Sequence, residues 1–84
     1  MKKDTYIDIC MEIIDDRVSD LKIIQDIEYA KHNEPEFDIN WAPSNIYYPF
    51  IIYAITEKRK NLVEYLLMDH ELNINLVYNN LFTV

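Results

Sequence analysis

The sequence predicts an all-α chain of stacked antiparallel helical hairpins with long connecting turns, and three observations carry that prediction. The phrase Glu36-Phe37-Asp38-Ile39-Asn40 returns as Glu71-Leu72-Asn73-Ile74-Asn75, an offset of 35 residues. Each copy follows an amphipathic run, residues 21–32 and residues 61–69, with apolar side chains at three–four spacing. Between them, residues 50–55 are apolar on every side, which suits a helix sandwiched between neighbours. Self-similarity at this period marks a stacked-repeat architecture, in which each unit leaves a face that only its neighbour can bury.

The elements follow in order. Residues 5–17 read as a first helix, with Tyr6, Ile9, Cys10, Ile13, Ile14 and Val18 along one side and Asp4 as its N-cap. Its opposite side carries a four-residue ladder, Asp4, Asp8, Glu12 and Asp16, with Asp15 beside it. Ser19 or Asp20 caps a second helix over residues 20–31, and the short link makes an antiparallel pair. Pro35 stops it. Residues 33–48 form a long connector in which Phe37, Ile39 and Trp41 alternate with polar residues, an extended pattern, before the turn-forming Pro43, Ser44 and Asn45. Pro49 fits the first turn of a third helix, where its missing amide costs nothing. A buried strand competes for residues 50–55, but Ala54 and the following Thr56-Glu57-Lys58 favour helix. Asn61 with Glu64 has the spacing of a capping box for a fourth helix, leaving Lys58-Arg59-Lys60 as a solvated turn.

Eighty-four residues support one domain, residues 1–84. Within it, about 5–40 make a first hairpin and turn and 41–75 a second hairpin. Residues 76–84 begin a further turn or form a C-terminal tail. Half the residues are hydrophobic, which excludes intrinsic disorder. The longest apolar run is six residues, too short for a bilayer, and acid at Asp4 and Asp8 stands where an export signal needs an apolar stretch. The expected setting is therefore cytoplasmic, inside the host cell if the source is a virus. Glycine is absent, so any left-handed turn must use another residue, with Asn and Asp the natural substitutes. The net charge of −7 is uneven. Residues 1–42 carry 5 basic and 11 acidic side chains (net −6), and residues 43–84 carry 3 and 4 (net −1). That acidity argues against direct binding of nucleic acid and permits attraction to a basic partner.

The two hairpins with their closing phrases resemble ankyrin repeats. The second unit matches better: residues 54–67, Ala-Ile-Thr-Glu-Lys-Arg-Lys-Asn-Leu-Val-Glu-Tyr-Leu-Leu, are similar to the family's stretch from the first helix's alanine through "Val-Val-x-x-Leu-Leu". Asn73-Ile74-Asn75 stands at its "Asp-Val-Asn". The resemblance covers about residues 20–84, and loosely 5–19. It departs from the family in three ways. The "Thr-Pro-Leu-His-x-Ala" signature appears as Tyr48-Pro49-Phe50-Ile51-Ile52-Tyr53-Ala54, one residue longer from Pro to Ala. The two glycines of each repeat are missing, with Lys58 and His70 near their places. The period is 35 where 33 is usual. On this resemblance Ile39 and Ile74 wedge between hairpins, and Ile52, Leu62, Val63 and Leu66 fill the layer. Partners in the family dock on protruding turns and the inner-helix face, which here places Trp41, Ala42, Ser44, Asn45 and Tyr47 on the turn and Tyr53 and Glu57 on the face. Trp41 and Tyr47 are the expected anchors, because large aromatics dominate interface energetics, although Trp41 could instead pack over its own hairpin.

Catalytic chemistry has little to work with. Ser19, Ser44, His32 and His70 have no motif around them, a phosphate loop needs glycine, and the carboxylates of the ladder lack a pocket. Cys10 is a lone thiol among apolar positions, expected to be buried, and the two histidines sit near helix C-termini, where the dipole suits them. The expectation is no enzyme, no metal and no cofactor. The partner is another protein, with no membrane and no nucleic acid bound directly. Leu81, Phe82 and Val84 would lie near an uncovered last hairpin, so a folded-back tail, a partner, self-association through that hairpin or a longer parent chain would have to cover it. A different class of function is a small acidic inhibitor from a virus or mobile element. There Asp4, Asp8, Glu12, Asp15 and Asp16 imitate a phosphate row and fill the basic groove of a nucleic-acid enzyme.

Overall fold

Apolar side chains recurring every three or four residues on four segments give four helices, joined by turns whose side chains bond their own backbone. The computed structural model describes residues 2–43 and 47–75. It contains α1 (Lys3–Ile14), α2 (Asp20–Asn33), α3 (Phe50–Thr56) and α4 (Lys60–Leu67), and no strand among the described residues. The all-α expectation holds. The tail at 76–84, with Leu81, Phe82 and Val84, lies outside the described residues.

Helix α1 packs against α2 and α3, and α4 packs against α3 and α2. Bonds at both ends fix the directions. Glu34, at the end of α2, accepts from the Thr5 hydroxyl at the start of α1 (2.6 Å), so the first pair is antiparallel. Asp20 at the start of α2 meets Leu62 at the start of α4, and Lys31 near the end of α2 meets Asp69 just beyond α4. These two helices therefore run in the same sense. The Tyr6 hydroxyl donates to the Tyr48 carbonyl ahead of α3, while Arg59 behind α3 reaches the end of α1, so α1 and α3 also run together.

One core lies between the four helices. Tyr6, Ile13, Ile23, Ile27, Phe50, Ile51, Leu62 and Leu66 are each at most 1% exposed. Helix α3 is enclosed as its composition predicts, with Phe50, Ile51, Ile52 and Ala54 buried. Full burial of side chains of this size contributes about 1.5–3 kcal/mol each relative to exposure.

The closing phrase keeps the same bonds in both copies. Phe37 N–H donates to Glu34 O (3.0 Å) and Leu72 N–H to Asp69 O (3.1 Å); Asn40 N–H donates to Asp38 Oδ1 (2.9 Å) and Asn75 N–H to Asn73 Oδ1 (3.0 Å). Each bond recurs 35 residues on, so the sequence repeat is a repeated Asx turn. The two turns are also joined. The Asn40 side-chain amide donates to Glu71 O and accepts from Asn73 N–H, both at 2.7 Å.

Several local expectations are corrected. Phe37, Ile39 and Trp41 do face inward, yet their backbone is a series of turns and not extended strand. Pro49 is the N-cap of α3 and not within its first turn. Helix α1 starts at Lys3, so Asp4 lies inside the first turn and makes no cap; Glu34 supplies the carboxylate there, also accepting from Lys2 N–H (3.4 Å). Helix α1 ends at Ile14, which leaves Asp16 outside it and shortens the acidic ladder. Ser19 does cap α2, accepting from Lys22 N–H (3.1 Å). Asn61 and Glu64 form no capping box, because α4 already begins at Lys60. Asp20 Oδ2, brought from across the fold, accepts from the first-turn amide of Leu62 instead (3.3 Å).

The largest correction concerns the basic triplet. Lys58 and Lys60 are exposed, but the Arg59 side chain is only 10% exposed. Its guanidinium donates to the carbonyls of Glu12, Ile13, Asp15 and Val18, at 2.6–3.2 Å, and to Asp20 Oδ1 at 2.8 Å. A cation among the carbonyls of a helix C-terminus suits both their hydrogen bonding and the helix dipole. It also ties the first hairpin to the second. Lys58 takes the left-handed conformation (φ 58°), at the place near which the resembled family has a glycine.

Candidate functional site

The connector and the start of α3 gather aromatic rings around Tyr6. Trp41 meets it edge-on at 5.6 Å and Tyr47 at 6.3 Å, while Phe50 stacks on it at 5.3 Å. Tyr48 meets Tyr53 edge-on at 6.0 Å, and the Tyr48 N–H donates to the Tyr53 hydroxyl at 3.3 Å. Such pairs contribute about 0.5–1.5 kcal/mol beyond their burial, so the cluster fixes the connector on the helices. Burial drives the Tyr6 phenol far above its ordinary range, with hydrogen bonds to Cys10 and Tyr53 acting the same way. It stays protonated and donates to Tyr48.

The residues expected on the turn and inner face divide into two sets. Trp41 and Ala42 are half-buried against the core, so Trp41 packs over its own hairpin. Tyr47 is 41% exposed with its neighbour Tyr48 at 42%, Tyr53 is half-buried, and Glu57 is exposed as the C-cap of α3. Ser44 and Asn45 lie outside the described residues. Tyr48 was not singled out by sequence; its signal was the adjacent Tyr-Tyr pair ahead of Pro49.

The acidic residues of the first helix are not one open row. Asp4, Asp8 and Asp16 are exposed. Glu12 instead faces α2, where Lys22 bridges it (3.3 Å) and Asp26 (2.5 Å). Burial and then the Asp26 hydrogen bond raise the Glu12 carboxyl. For Asp26 burial acts upward too, but the bonds from Lys22 and Glu12 outweigh it and leave its carboxyl lowered. Asp15, the C-cap of α1, is clasped by Arg17 Nε and Nη2, both at 3.0 Å, which holds its carboxyl below the usual range.

A cleft of about 730 Å³ opens between the far ends of α2 and α4, lined by Glu28, Lys31, Tyr65 and Asp69 among others. These four bond one another. Lys31 donates to Asp69 (2.5 Å) and sits 5.6 Å from the Tyr65 ring centroid, and the Tyr65 hydroxyl donates to Glu28. The network joins the two hairpins. Elsewhere, burial pushes the Cys10 thiol up to about 11, partly opposed by its bond to Tyr6, so little thiolate forms near neutrality. Among the described residues no three of His, Cys, Asp and Glu gather as a set able to hold a metal ion, and no helix is long and apolar enough to cross a membrane. What the geometry offers is a rim of exposed aromatics on a hydrogen-bonded frame. No protein-family model matches this chain, and no curated protein or solved structure matches it either.

Proposed function

We propose that this chain is a non-enzymatic protein-interaction module of two ankyrin-like repeats, with a partner docking on the connector and the adjoining face of α3. The observation that carries the reading is the recurrence of the same turn bonds 35 residues apart, each turn following a helical pair laid alongside its counterpart. Tyr47 is the anchor, because it is exposed while its ring packs edge-on against Tyr6 of the aromatic cluster. Tyr53 meets the neighbouring Tyr48, and Glu57 closes the far end of α3. Trp41 and Ala42 support the connector from beneath. The acidic-inhibitor reading draws less support, because Glu12 and Asp15 are already engaged by Lys22 and Arg17.

Capture of partners from the native cell, read by mass spectrometry, supplies the ligand for the test. Tyr47→Ala should then weaken the complex roughly 30-fold, the scale of an interface hot spot. Unchanged affinity in a variant with the parent's far-UV circular dichroism would remove Tyr47 and the connector from the site. Docking through the aromatics should depend on salt far less than occupation of a basic groove; a steep dependence that Tyr47→Ala leaves unchanged would point to the carboxylates instead.

A further inference from the structure

We propose that the outward side of α1 binds an amphipathic helix that carries basic side chains beside its apolar stripe. The inference rests on the protein-binding reading above and adds the partner's chemistry.

Helix α1 has two apolar lines. Tyr6, Ile9 and Ile13 form the buried one. Ile7, Met11 and Ile14, spaced four and three apart, form a second, and they are 38%, 59% and 51% exposed. At 100° per residue this second line lies about 120° around the helix from the first, with the half-buried Cys10 between them. Glu12 marks the other flank, because it reaches Lys22 on α2. The exposed line therefore faces away from α2. No helix of the described residues covers it, and a stripe at this spacing is what a partner helix fits.

Charge decides what kind of helix. Asp4 and Asp8 run directly beside Ile7 and Met11, and both are exposed. Met11 and Ile14 line a shallow hollow at the carboxyl end of α1 together with Glu12, Asp15, Asp16 and Arg17. Lys3 is the base at the amino end of the line, and Arg17 is clasped to Asp15. The stripe is thus flanked mainly by carboxylates on a chain of net charge −7. A second copy would set these carboxylates against their own kind, and an anionic lipid surface would be repelled in the same way. A lysine- or arginine-bearing helix matches both the apolar line and its flank.

The probe is a fluorescein-labelled peptide of leucine and lysine with leucines at three–four spacing; its partner peptide has glutamate in place of lysine. Fluorescence anisotropy with the full chain should detect the lysine peptide and not the glutamate one. The double substitution Ile7→Gln, Met11→Gln keeps residues of good helix propensity on an exposed face, so the fold should survive. It should weaken binding at least about tenfold, and Asp4→Asn with Asp8→Asn should do so most at low salt. Equal binding by the Gln variant would mean the peptide is held by charge alone and would overturn the site. So would binding of the glutamate peptide, binding to phosphatidylserine vesicles, or a dimer in light scattering that the Gln variant dissolves. Tyr47→Ala separates this from the reading it rests on. Peptide binding kept while partner binding is unaffected by Tyr47→Ala would remove the connector alone; partner binding that needs Tyr47 but ignores Ile7 and Met11 would remove the stripe alone.

Discussion

Ile39 and Ile74 occupy the same place in the two copies of the closing phrase, each within the same Asx turn, yet Ile39 is 2% exposed and Ile74 is 58%. Position 74, expected from the repeat to wedge between hairpins, is therefore on the surface. Ile39 is covered because α3 and α4 follow it and lie against α1 and α2. The Asn40 side chain adds to that joint by bracketing the next turn at Glu71 and Asn73. A short phrase determines the shape of a turn. Whether its isoleucine contributes burial depends on the neighbour that packs on it.

The comparison breaks first at the joint between the hairpins. Arg59 is the bolt there, with five hydrogen bonds to the ends of the first pair. Arg59→Ala would leave Asp20 Oδ1 and the Ile13 and Val18 carbonyls without this donor and the Asp20 charge without its partner, a loss of about 3–5 kcal/mol. Since small domains have only about 5–15 kcal/mol in total, the variant should unfold at far lower urea than the parent. Arg59→Lys restores the charge but not the planar fork, and should recover only part of the loss. A midpoint for Arg59→Ala equal to that of Lys58→Ala would show that the solvated-turn reading was right after all.

The next effect tests the isoleucines themselves. Ile39→Ala should cost about 2–5 kcal/mol, the range for a buried aliphatic truncated in a packed core. Ile74→Ala should stay within about 0.5 kcal/mol, as surface substitutions do. Urea unfolding of the two variants side by side measures the difference. Equal losses would mean that Ile74 is covered in solution.

How far the sequence carried the fold can be judged at the helix ends. The three–four spacing located both hairpins, Ser19 was one of the two caps the sequence offered for α2, and the all-round apolar run pointed to the enclosure of α3. What it missed was supplied from a distance. Asp20 serves Leu62 from 42 residues away, and Glu34 serves Thr5 from 29. Local rules therefore pointed at Asn61 and Asp4, the nearest residues of the right type. Arg59 was hidden by the lysines on either side, because a basic triplet gives no sign of which member turns inward. The aromatic cluster was half legible: Tyr47 and Tyr53 stand out in the sequence as candidates, but the burial of Trp41 depends on Tyr6, a helix away.

The smallest effect compares Glu34 with Asp69, again 35 residues apart. Glu34 turns back to its own hairpin, where the Thr5 hydroxyl holds its carboxyl below the usual range. Asp69 reaches across to Lys31 of the other hairpin. Burial pushes the Asp69 carboxyl upward, but the hydrogen bonds from Lys31 and the Glu71 amide outweigh it, so its value is lowered. A carboxylate lowered on folding stabilises the protein fully above the ordinary aspartate value of about 3.9, and that contribution disappears as pH falls through the lower folded value. Glu12 has the opposite sign, since its raised carboxyl favours the folded state as pH falls through the raised value towards the ordinary one of about 4.3. Acidification from neutrality should therefore change stability little, or raise it slightly, until about pH 4 and reduce it below. Asp69→Asn should flatten that final fall by less than about 1 kcal/mol, because Lys31 is 31% exposed and water screens the pair. Urea midpoints measured on both sides of about pH 4 would register it. A variant whose acid limb matches the parent's would show that the bridge between hairpins adds nothing to their joint, leaving Arg59 and the core to hold them.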